Sequence, residues 1–483
     1  MRICDPAVSG TVRLLMRVTE YRRHRVALGL VIAGCAGSVQ PVVDNARFEE
    51  IIEEFGLAPL PAIPYPDDNG FEPARVSLGR LLFFDPILGG ESAPRVKVAA
   101  GRDPYTYRAN DVACATCHFP SLGFTDRRRI SAGVGGAQFG DLALGPDRVV
   151  PARSLVTGAE LGIVARNAPT ILNAGLNGRD SPQSVASSFQ FYDGRVMGGL
   201  EQQAMLPVVS RDEMMGDAFL GSAAGTLRDS LATRVREIPE YVTHFQQAFA
   251  SEVSAAGDIT FDHIAHALAA YQRELITPGS DYDRFVAGDF EALTEDEREG
   301  FLLFFEEGRC GVCHTGPMLS DYSFRVLGVA EAYDLAQPGF AGRNGMGGDF
   351  GRYHADPVLL DNFKFAFRVQ TIRNVEVTDP YFHSGSAVTL RDVLDFYNRG
   401  GRGDGDLSDE QLAAEGVVRD SDIVRLGLTS VQIDRLVDFL KTTTAPVQTL
   451  AGVPELASAP PRVPSGLLPS GVTTPPGPGP FFR

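Results

Sequence analysis

Two copies of one five-residue string contain the residue types that can attach a porphyrin covalently. They are Cys114-Ala115-Thr116-Cys117-His118 and Cys310-Gly311-Val312-Cys313-His314. Two thiols three positions apart can add to the two vinyl groups of one porphyrin, and the adjacent His can then bind the iron. A redox dithiol or half of a zinc site would also show Cys-x-x-Cys, but a zinc site needs further Cys or His at short spacing, which neither copy has. The spacing, the adjacent His and the duplication predict two c-type haems, with His118 and His314 as iron ligands.

The length, charge and cysteine content of the chain limit the possible classes of protein. With 483 residues and 44% apolar residues, the chain can form two or three compact domains. Its formal net charge of -17 argues against nucleic acid and anionic membrane surfaces as partners and favours a basic or small redox partner. Once the haem thiols are used, only Cys4 and Cys35 are left. No internal disulfide framework is therefore predicted.

The first 34 residues have the pattern of an export signal. Arg22, Arg23 and Arg25 precede an apolar run over residues 26–33, which is too short to span a bilayer. The run ends in Ile32-Ala33-Gly34-Cys35, which resembles the lipobox of bacterial lipoproteins, where the Cys becomes the acylated N-terminus. An ordinary signal peptide with a chance Cys is the alternative. The pattern predicts an exported, periplasmic protein that is attached to a membrane only through a lipid on Cys35.

The rest of the chain predicts a mainly α-helical fold, with two tandem cytochrome c-like haem domains, long irregular loops and little β structure. Apolar residues at helical spacing occur over residues 78–86 and 300–305, each shortly before a haem motif, as an internal repeat of one module requires. Further helices are predicted within residues 201–206, 223–249 and 261–276. Residues 127–165 and 331–363 are rich in Gly and are predicted to be loops.

The composition also predicts where the domains begin and end. We expect a linker over residues 35–70, with one short amphipathic piece around residues 48–55. A first haem domain is predicted over residues 71–275 and a second over residues 276–445. Residues 446–483 are dominated by Pro, Gly and Ser, which predicts a disordered tail.

Several other strings occur in the order found in the bacterial dihaem cytochrome c peroxidase and MauG family. They are Leu78 to Pro86, Gly123-Phe124-Thr125-Asp126, Asn167-Ala168-Pro169-Thr170, Asp193-Gly194-Arg195, and Arg373-Asn374-Val375 followed by Pro380-Tyr381-Phe382-His383. Together with the two haem motifs, they make residues 71–445 resemble this family. The resemblance implies a peroxidase in which the first haem reacts with hydrogen peroxide and the second haem transfers electrons.

Cleavage of the peroxide bond needs a group that moves a proton between the two oxygens and a hydrogen-bond donor. The family pattern Leu-x-x-Gln-x-x-x-Pro falls on Gln203 and Pro207, and Glu213 lies six residues beyond the proline, as the family's distal acid does. One residue inserted after Arg195 leaves Gln202 as an alternative to Gln203. The resemblance implies that Glu213 is the acid and base of the reaction, and a haem pocket would raise its pKa. Without the resemblance, surface roles for Glu213 and Gln203 would be the simpler interpretation.

The absence of one residue type bears on the first haem. Many members of the family cap the resting peroxide-reacting iron with a distal His from the loop after the first motif. This chain has no His between His118 and His244. We therefore expect a first haem that is open to peroxide in the oxidised protein, without prior reduction.

The second ligand of the second haem separates the branches of the family. The family places it 14 residues after the His of Pro-Tyr-Phe-His, which here is Tyr397. The sequence predicts a helix that Thr389 opens and Gly400-Gly401 closes, with Tyr397 on its apolar face. Electron-transfer peroxidases usually have Met at this position, whereas the MauG branch has Tyr. A hard, anionic phenolate stabilises oxidised iron and a thioether raises the potential, so ligation favours the MauG branch. A core-packing role for Tyr397 is the alternative.

The resemblance also implies a calcium ion between the two haem units. Its ligands would be the side chain of Asn167 and the carbonyl oxygens of Thr378 and Pro380. The chain has no Trp, so a relay of electrons between the haems would use a Tyr. Tyr192 lies where the family often has Trp, and it is the candidate for a relay or for simple packing.

Three functions are consistent with these residues. The first is oxidation of a protein substrate with hydrogen peroxide, as MauG performs it. The second is removal of hydrogen peroxide with electrons from a small cytochrome c or a cupredoxin. The third is a non-enzymatic dihaem electron-transfer cytochrome, in which Glu213 has no catalytic role.

Overall fold

A computed structural model describes a large part of the chain. The described residues are 45–90, 112–128, 131, 136–138, 150–151, 154, 157–159, 164, 166–177, 189–330, 349–356, 361–453, 455–467 and 469. The predicted leader with Cys4 and Cys35 lies outside them. So do most residues of the two predicted loops over residues 127–165 and 331–363, and the end of the predicted tail.

Within the described residues, helices predominate. They are α1 (Asn45–Glu54), α2 (Pro73–Phe84), α3 (Leu200–Val209), α4 (Ala224–Arg236), α5 (Pro239–Ala248), α6 (Phe261–Arg273), α7 (Asp281–Val286), α8 (Glu295–Phe305), α9 (Leu390–Asn398), α10 (Asp409–Ala414) and α11 (Ser430–Lys441). The β structure of the described residues consists of two antiparallel pairs: β1 (Gly136–Gln138) with β2 (Val150–Pro151), and β3 (Phe324–Val326) with β4 (Ala366–Arg368). The prediction of a mainly helical fold with little β structure is confirmed.

The helices α2 and α8, which precede the two haem motifs, pack in the same way. Helix α2 packs against α6, and α8 packs against α11. A Cβ atom on Gly79 would overlap the carbonyl oxygen of Ala267 on α6, and one on Gly300 would overlap that of Arg435 on α11. Glycine is therefore required where each pair of helices makes its closest approach. This shared contact supports an internal repeat of one module.

Two separate groups of buried apolar side chains form the cores of the fold. The first core lies among α2 to α6 and includes Phe83, Phe84, Phe245, Leu268 and Tyr271. The second core lies among α7, α8, α9 and α11 and includes Phe285, Phe301, Phe304, Leu394 and Phe439. Ala115 of the first haem motif is buried in the first core, and Cys310 of the second motif packs against the second core.

The predicted linker over residues 35–70 is wrong where α1 forms. The amphipathic piece is a helix whose Phe48 and Ile51 are buried in the second core. The carbonyl oxygen of Phe55 accepts hydrogen bonds from the backbone N–H of Gly316 and the hydroxyl of Thr315, just after the second haem motif. Burial of its apolar face holds α1 against the second half of the chain. A solvated linker would lack this stabilisation.

The predicted disordered tail over residues 446–483 is also wrong for its described residues up to 467. Val453, Leu456 and Val463 are buried in the first core. The carboxylate of Asp85, itself buried, accepts hydrogen bonds from the hydroxyls of Ser465 and Tyr241, both at 2.6 Å. Pro and Gly content indicates disorder only on average, and a few well-spaced apolar residues suffice to hold this segment against a core that is distant in sequence.

Candidate functional site

The two Cys-x-x-Cys-His strings have the same local structure. Each begins with a short 3₁₀ turn, and the N–H of its His donates to the carbonyl oxygen of its first Cys, at 3.1 Å for His118 and 2.9 Å for His314. None of the four cysteines in these strings forms a disulfide. Burial raises the pKa of both Cys114 and Cys310 to about 12. Cys114 packs against the first apolar core and Cys310 against the second.

One hydrogen bond orients each of the two imidazole rings. The Nδ1 atom of His118 lies 2.9 Å from the carbonyl oxygen of Phe124, and the Nδ1 atom of His314 lies 2.9 Å from that of Leu319. Both acceptor residues have a positive φ, 57° for Phe124 and 49° for Leu319, so equivalent turns present the two carbonyls. A carbonyl acceptor at Nδ1 fixes the tautomer and leaves Nε2 for a metal. Burial lowers the pKa of both imidazoles, which favours the neutral form that binds iron.

A cavity of about 270 Å³ lies against the second motif. Its lining includes Cys310, Cys313, His314 and, from α9, Tyr397. Helix α9 begins as predicted, since the Thr389 hydroxyl accepts from the N–H of Asp392 and the Asp392 carboxylate accepts from the N–H of Thr389. Burial raises the pKa of Tyr397 well above that of an ordinary tyrosine. These residues fit a c-type haem, and binding of the phenolate would depend on the positive charge of the iron.

Tyr192 lines the same cavity as His314 and Tyr397. Its carbonyl oxygen accepts a hydrogen bond from the N–H of Arg368 at the end of β4, and burial raises the pKa of its phenol. The position is compatible with both the relay and the packing role, so the relay stays a prediction.

Helix α3 distinguishes the two candidate glutamines. The Oε1 atom of Gln203 is buried and has no hydrogen-bond partner within the described part of the chain. Gln202, in contrast, is exposed. A buried amide oxygen without a partner is costly, and it indicates a site for water or a ligand. Pro207 lies one turn further along the same helix.

Glu213 lies in a single π-helical turn, Arg211–Met215, directly after α3. Such turns are frequent at functional sites. Its Oε1 atom lies 3.4 Å from the Nη2 atom of Arg195, and its side chain is 23% exposed. Burial raises the pKa of Glu213, and the charge of Arg195 opposes this increase. Met214, the next residue in this turn, is buried in the first core, against which Cys114 of the first haem motif also packs.

The contact between Arg195 and Glu213 was not predicted from the sequence. In the sequence, Asp193-Gly194-Arg195 contributes only to the resemblance to the family. The sequence does contain one relevant pattern, an acidic and a basic residue on either side of Gly194. A turn with this pattern can hold the arginine side chain in a fixed direction.

Two of the three implied calcium ligands lie together, one from each half of the chain. The Nδ2 atom of the buried Asn167 donates to the carbonyl oxygen of Pro380 at 3.1 Å and to that of Arg128 at 2.9 Å. A cation at this point would need the amide oxygen of Asn167 turned toward these carbonyls. Among the described residues, no group of three or more His, Cys, Asp or Glu could hold a metal. The calcium site, including Thr378, stays a prediction.

The paired motifs, each beside its own helical core, define a c-type dihaem protein, and comparisons with known proteins identify its family. A sequence model of the family "Di-haem cytochrome c peroxidase" matches residues 73–291. The methylamine utilization protein MauG of Methylorubrum extorquens is 28% identical over 397 residues, which cover 81% of this chain and 89% of that protein. The cytochrome c551 peroxidase of Nitrosomonas europaea is 30% identical over 322 residues, which cover 67% of this chain and 72% of that protein.

A solved structure supports the same assignment. The crystal structure of a MauG-like protein associated with microbial copper homeostasis aligns with a TM-score of 0.57 and 25% identity, over 83% of this chain and 95% of that chain. The chain belongs to the dihaem cytochrome c peroxidase and MauG family and is a peroxidase-type oxidoreductase. The family predicted from the sequence is therefore confirmed, and it implies two c-type haems.

Proposed function

We propose that this dihaem peroxidase uses hydrogen peroxide to oxidise a protein substrate, in the manner of MauG. The observation that carries the proposal is the position of Tyr397, which lines the cavity beside Cys310, Cys313 and His314. When bound, the haem irons supply the oxidation and reduction chemistry. A phenolate ligand stabilises oxidised iron. It is therefore better suited to a second haem that stores an oxidising equivalent than to a second haem that is easily reduced.

The residues near the first motif manage protons and the peroxide. Glu213 accepts the proton from one peroxide oxygen and returns it to the other as the O–O bond breaks, while the amide of Gln203 holds the peroxide by a hydrogen bond. Two electrons from the protein substrate and two protons convert one hydrogen peroxide to two water molecules. The loop after the first motif contributes no distal His, because the sequence has none between His118 and His244. His244 lies on α5, with its Nε2 atom 3.9 Å from the carboxylate of Glu240.

The second candidate is removal of hydrogen peroxide with electrons from a small cytochrome c or a cupredoxin. The names of several relatives, including the cytochrome c551 peroxidase of Nitrosomonas europaea, favour it. The family assignment argues against the third candidate, a non-enzymatic electron carrier. The two enzymatic candidates differ in where the electrons come from, and an experiment can separate them.

The location of the protein and its bound calcium form part of the proposal. Export to the periplasm and a lipid on Cys35 rest on the leader sequence, which lies outside the described residues. None of the helices in the described part of the chain has the length and apolar composition needed to cross a bilayer. A calcium ion at Asn167 and Pro380 would join the two halves of the chain.

The test adds one equivalent of hydrogen peroxide to the fully oxidised holoprotein, with and without a reduced small c-type cytochrome. We expect a reaction without prior reduction, because no His caps the first iron, and an oxidised protein that persists in the presence of the cytochrome. Rapid, repeated turnover of the cytochrome would instead establish the second candidate. A resting spectrum with two His ligands on the first iron would contradict the open site.

Replacing the two neighbouring glutamines provides a matched pair of variants. We expect Gln203→Ala to slow the reaction with peroxide about 10²-fold, because it removes a hydrogen-bond donor from the reacting oxygen. Gln202→Ala should leave the rate unchanged, since Gln202 is exposed. Stopped-flow measurement of the oxidised holoprotein gives both rates. Equal effects, or a larger effect of Gln202→Ala, would reverse the assignment.

A further inference from the structure

Among the described residues, Arg195 is the basic residue that contacts the carboxylate of Glu213, and the charges around this pair are of both signs. The groups that act on Glu213 are the guanidinium of Arg195, the carboxylates of Asp212 and Asp193, and the hydroxyl of Ser210. Two carboxylates and burial all disfavour an ionised Glu213. The guanidinium of Arg195 is the positive charge that compensates for them.

The turn before Arg195 holds its side chain in place. The backbone N–H of Arg195 donates to Oδ1 of Asp193 at 3.2 Å, and its Nη1 donates to Oδ2 of the same residue at 3.3 Å. The guanidinium also lies 4.3 Å from the centre of the Phe191 ring. Gly194 has a φ of 64°, and a Cβ atom there would overlap Phe324 and Arg352. The turn therefore presents the guanidinium in one direction, toward Glu213.

A second arginine holds the carboxylate that anchors Arg195. The Nη1 atom of Arg166 lies 2.8 Å from Oδ2 of Asp193, and its other nitrogens donate to both oxygens of Asp349 at 2.5 and 2.7 Å. Arg166, Asp193 and Asp349 are all buried. Asp193 would thus keep a cationic partner if Arg195 were replaced, so a variant at Arg195 would not leave a buried carboxylate without a counter-charge.

We propose that Arg195 is a positioning residue that keeps the Glu213 carboxylate ionised and directed toward the peroxide. The Asp193 carboxylate, anchored by Arg166, holds Arg195 in that position. The inference rests on the proposed role of Glu213 as the base. Only an ionised carboxylate can accept the proton of peroxide, so removal of Arg195 makes the base available only at higher pH. An opposite charge at this distance changes a carboxyl pKa by about one to three units.

The experiment measures the rate of the reaction of oxidised holoprotein with peroxide as a function of pH, for the wild type, Arg195→Gln and Arg195→Lys. We expect Arg195→Gln to move the midpoint of the acid limb upward by about one unit or more, and Arg195→Lys to restore most of the change. Arg211→Gln is the matched control. Like Arg195→Gln, it removes one positive charge, here from the π-helical turn that contains Glu213. Arg211 pairs with Asp217 at 2.6 Å, so the pH midpoint of Arg211→Gln should equal that of the wild type.

A second measurement does not depend on turnover. The infrared C=O stretching band of the protonated Glu213 carboxyl, identified by its loss in Glu213→Gln, can be titrated in the resting protein. We expect this band to persist to higher pH in Arg195→Gln than in the wild type. Melting temperatures of all variants establish that they are folded.

The outcomes separate this inference from the proposed function. If Glu213→Gln reacts as fast as the wild type, the proposed role of Glu213 is wrong. If Glu213→Gln is slow but the midpoint of Arg195→Gln does not move, only the inference about Arg195 is wrong. Arg195→Gln should slow the Glu213→Gln protein no further, because Arg195 acts through Glu213. An additional loss there would assign Arg195 a direct contact with peroxide or cofactor and overturn the positioning role.

Discussion

Replacing Glu213 by Gln is expected to slow the reaction with hydrogen peroxide by about 10²- to 10⁴-fold, the usual contribution of a general acid and base. The amide has nearly the shape of the carboxylate but cannot accept the peroxide proton. The rate is measured by stopped-flow absorbance of the oxidised holoprotein. The π-helical turn Arg211–Met215 positions this one carboxylate, so no neighbouring acid should replace it.

Asp212 provides the matched control for this variant. Its carboxylate lies next to Glu213 in the same turn but is 46% exposed. Asp212→Asn therefore removes the same charge one residue away, and we expect it to react at close to the wild-type rate. Equal losses in both variants would show that charge alone matters, and an unchanged rate in Glu213→Gln would contradict the assignment.

The pH dependence of the wild-type protein has a defined sign. Burial raises the pKa of Glu213 above that of an ordinary carboxyl, with partial compensation by Arg195. Because the ionised form is the base, the rate should fall as the pH falls through this raised pKa. The acid limb should be absent in Glu213→Gln, where no carboxyl remains to be titrated.

Replacing Tyr397 is expected to change the ligand and the potential of the second haem. Tyr397→Met should raise its reduction potential by on the order of 0.1 V or more, because a thioether replaces a hard anionic oxygen. Tyr397→Phe should leave the iron without this ligand and change the electron paramagnetic resonance spectrum of the oxidised protein. Spectra and a potentiometric titration of each variant measure these effects.

Tyr381 is the corresponding control. It lines the same cavity, but its hydroxyl donates to the carbonyl oxygen of Val375 at 2.9 Å. Tyr381→Phe should therefore leave the spectrum and the potential of the second haem unchanged. If Tyr397→Phe also had a wild-type spectrum, Tyr397 would be a packing residue and the MauG-like proposal would lose its main support.

Local patterns in the sequence predicted the features that depend on neighbouring residues. Helix α9 begins at the capping residue Thr389 because a side-chain oxygen satisfies backbone N–H groups one turn ahead. The two haem motifs form equal turns because the same spacing repeats the same backbone hydrogen bonds. Composition alone failed for residues 45–57 and 446–467, since both segments pack against cores whose residues are distant in the chain.

By itself, the sequence determined the family, the two attachment motifs and the helical face that carries Tyr397, because these follow from the identity and spacing of residues along the chain. Only the tertiary structure decided that Gln203 rather than Gln202 has the buried amide oxygen, and that Arg195 contacts Glu213. Both depend on which side chains meet across a fold. The turn around Gly194 can fix the direction of Arg195, but the spacing of residues within one element does not specify which side chain of another element it meets.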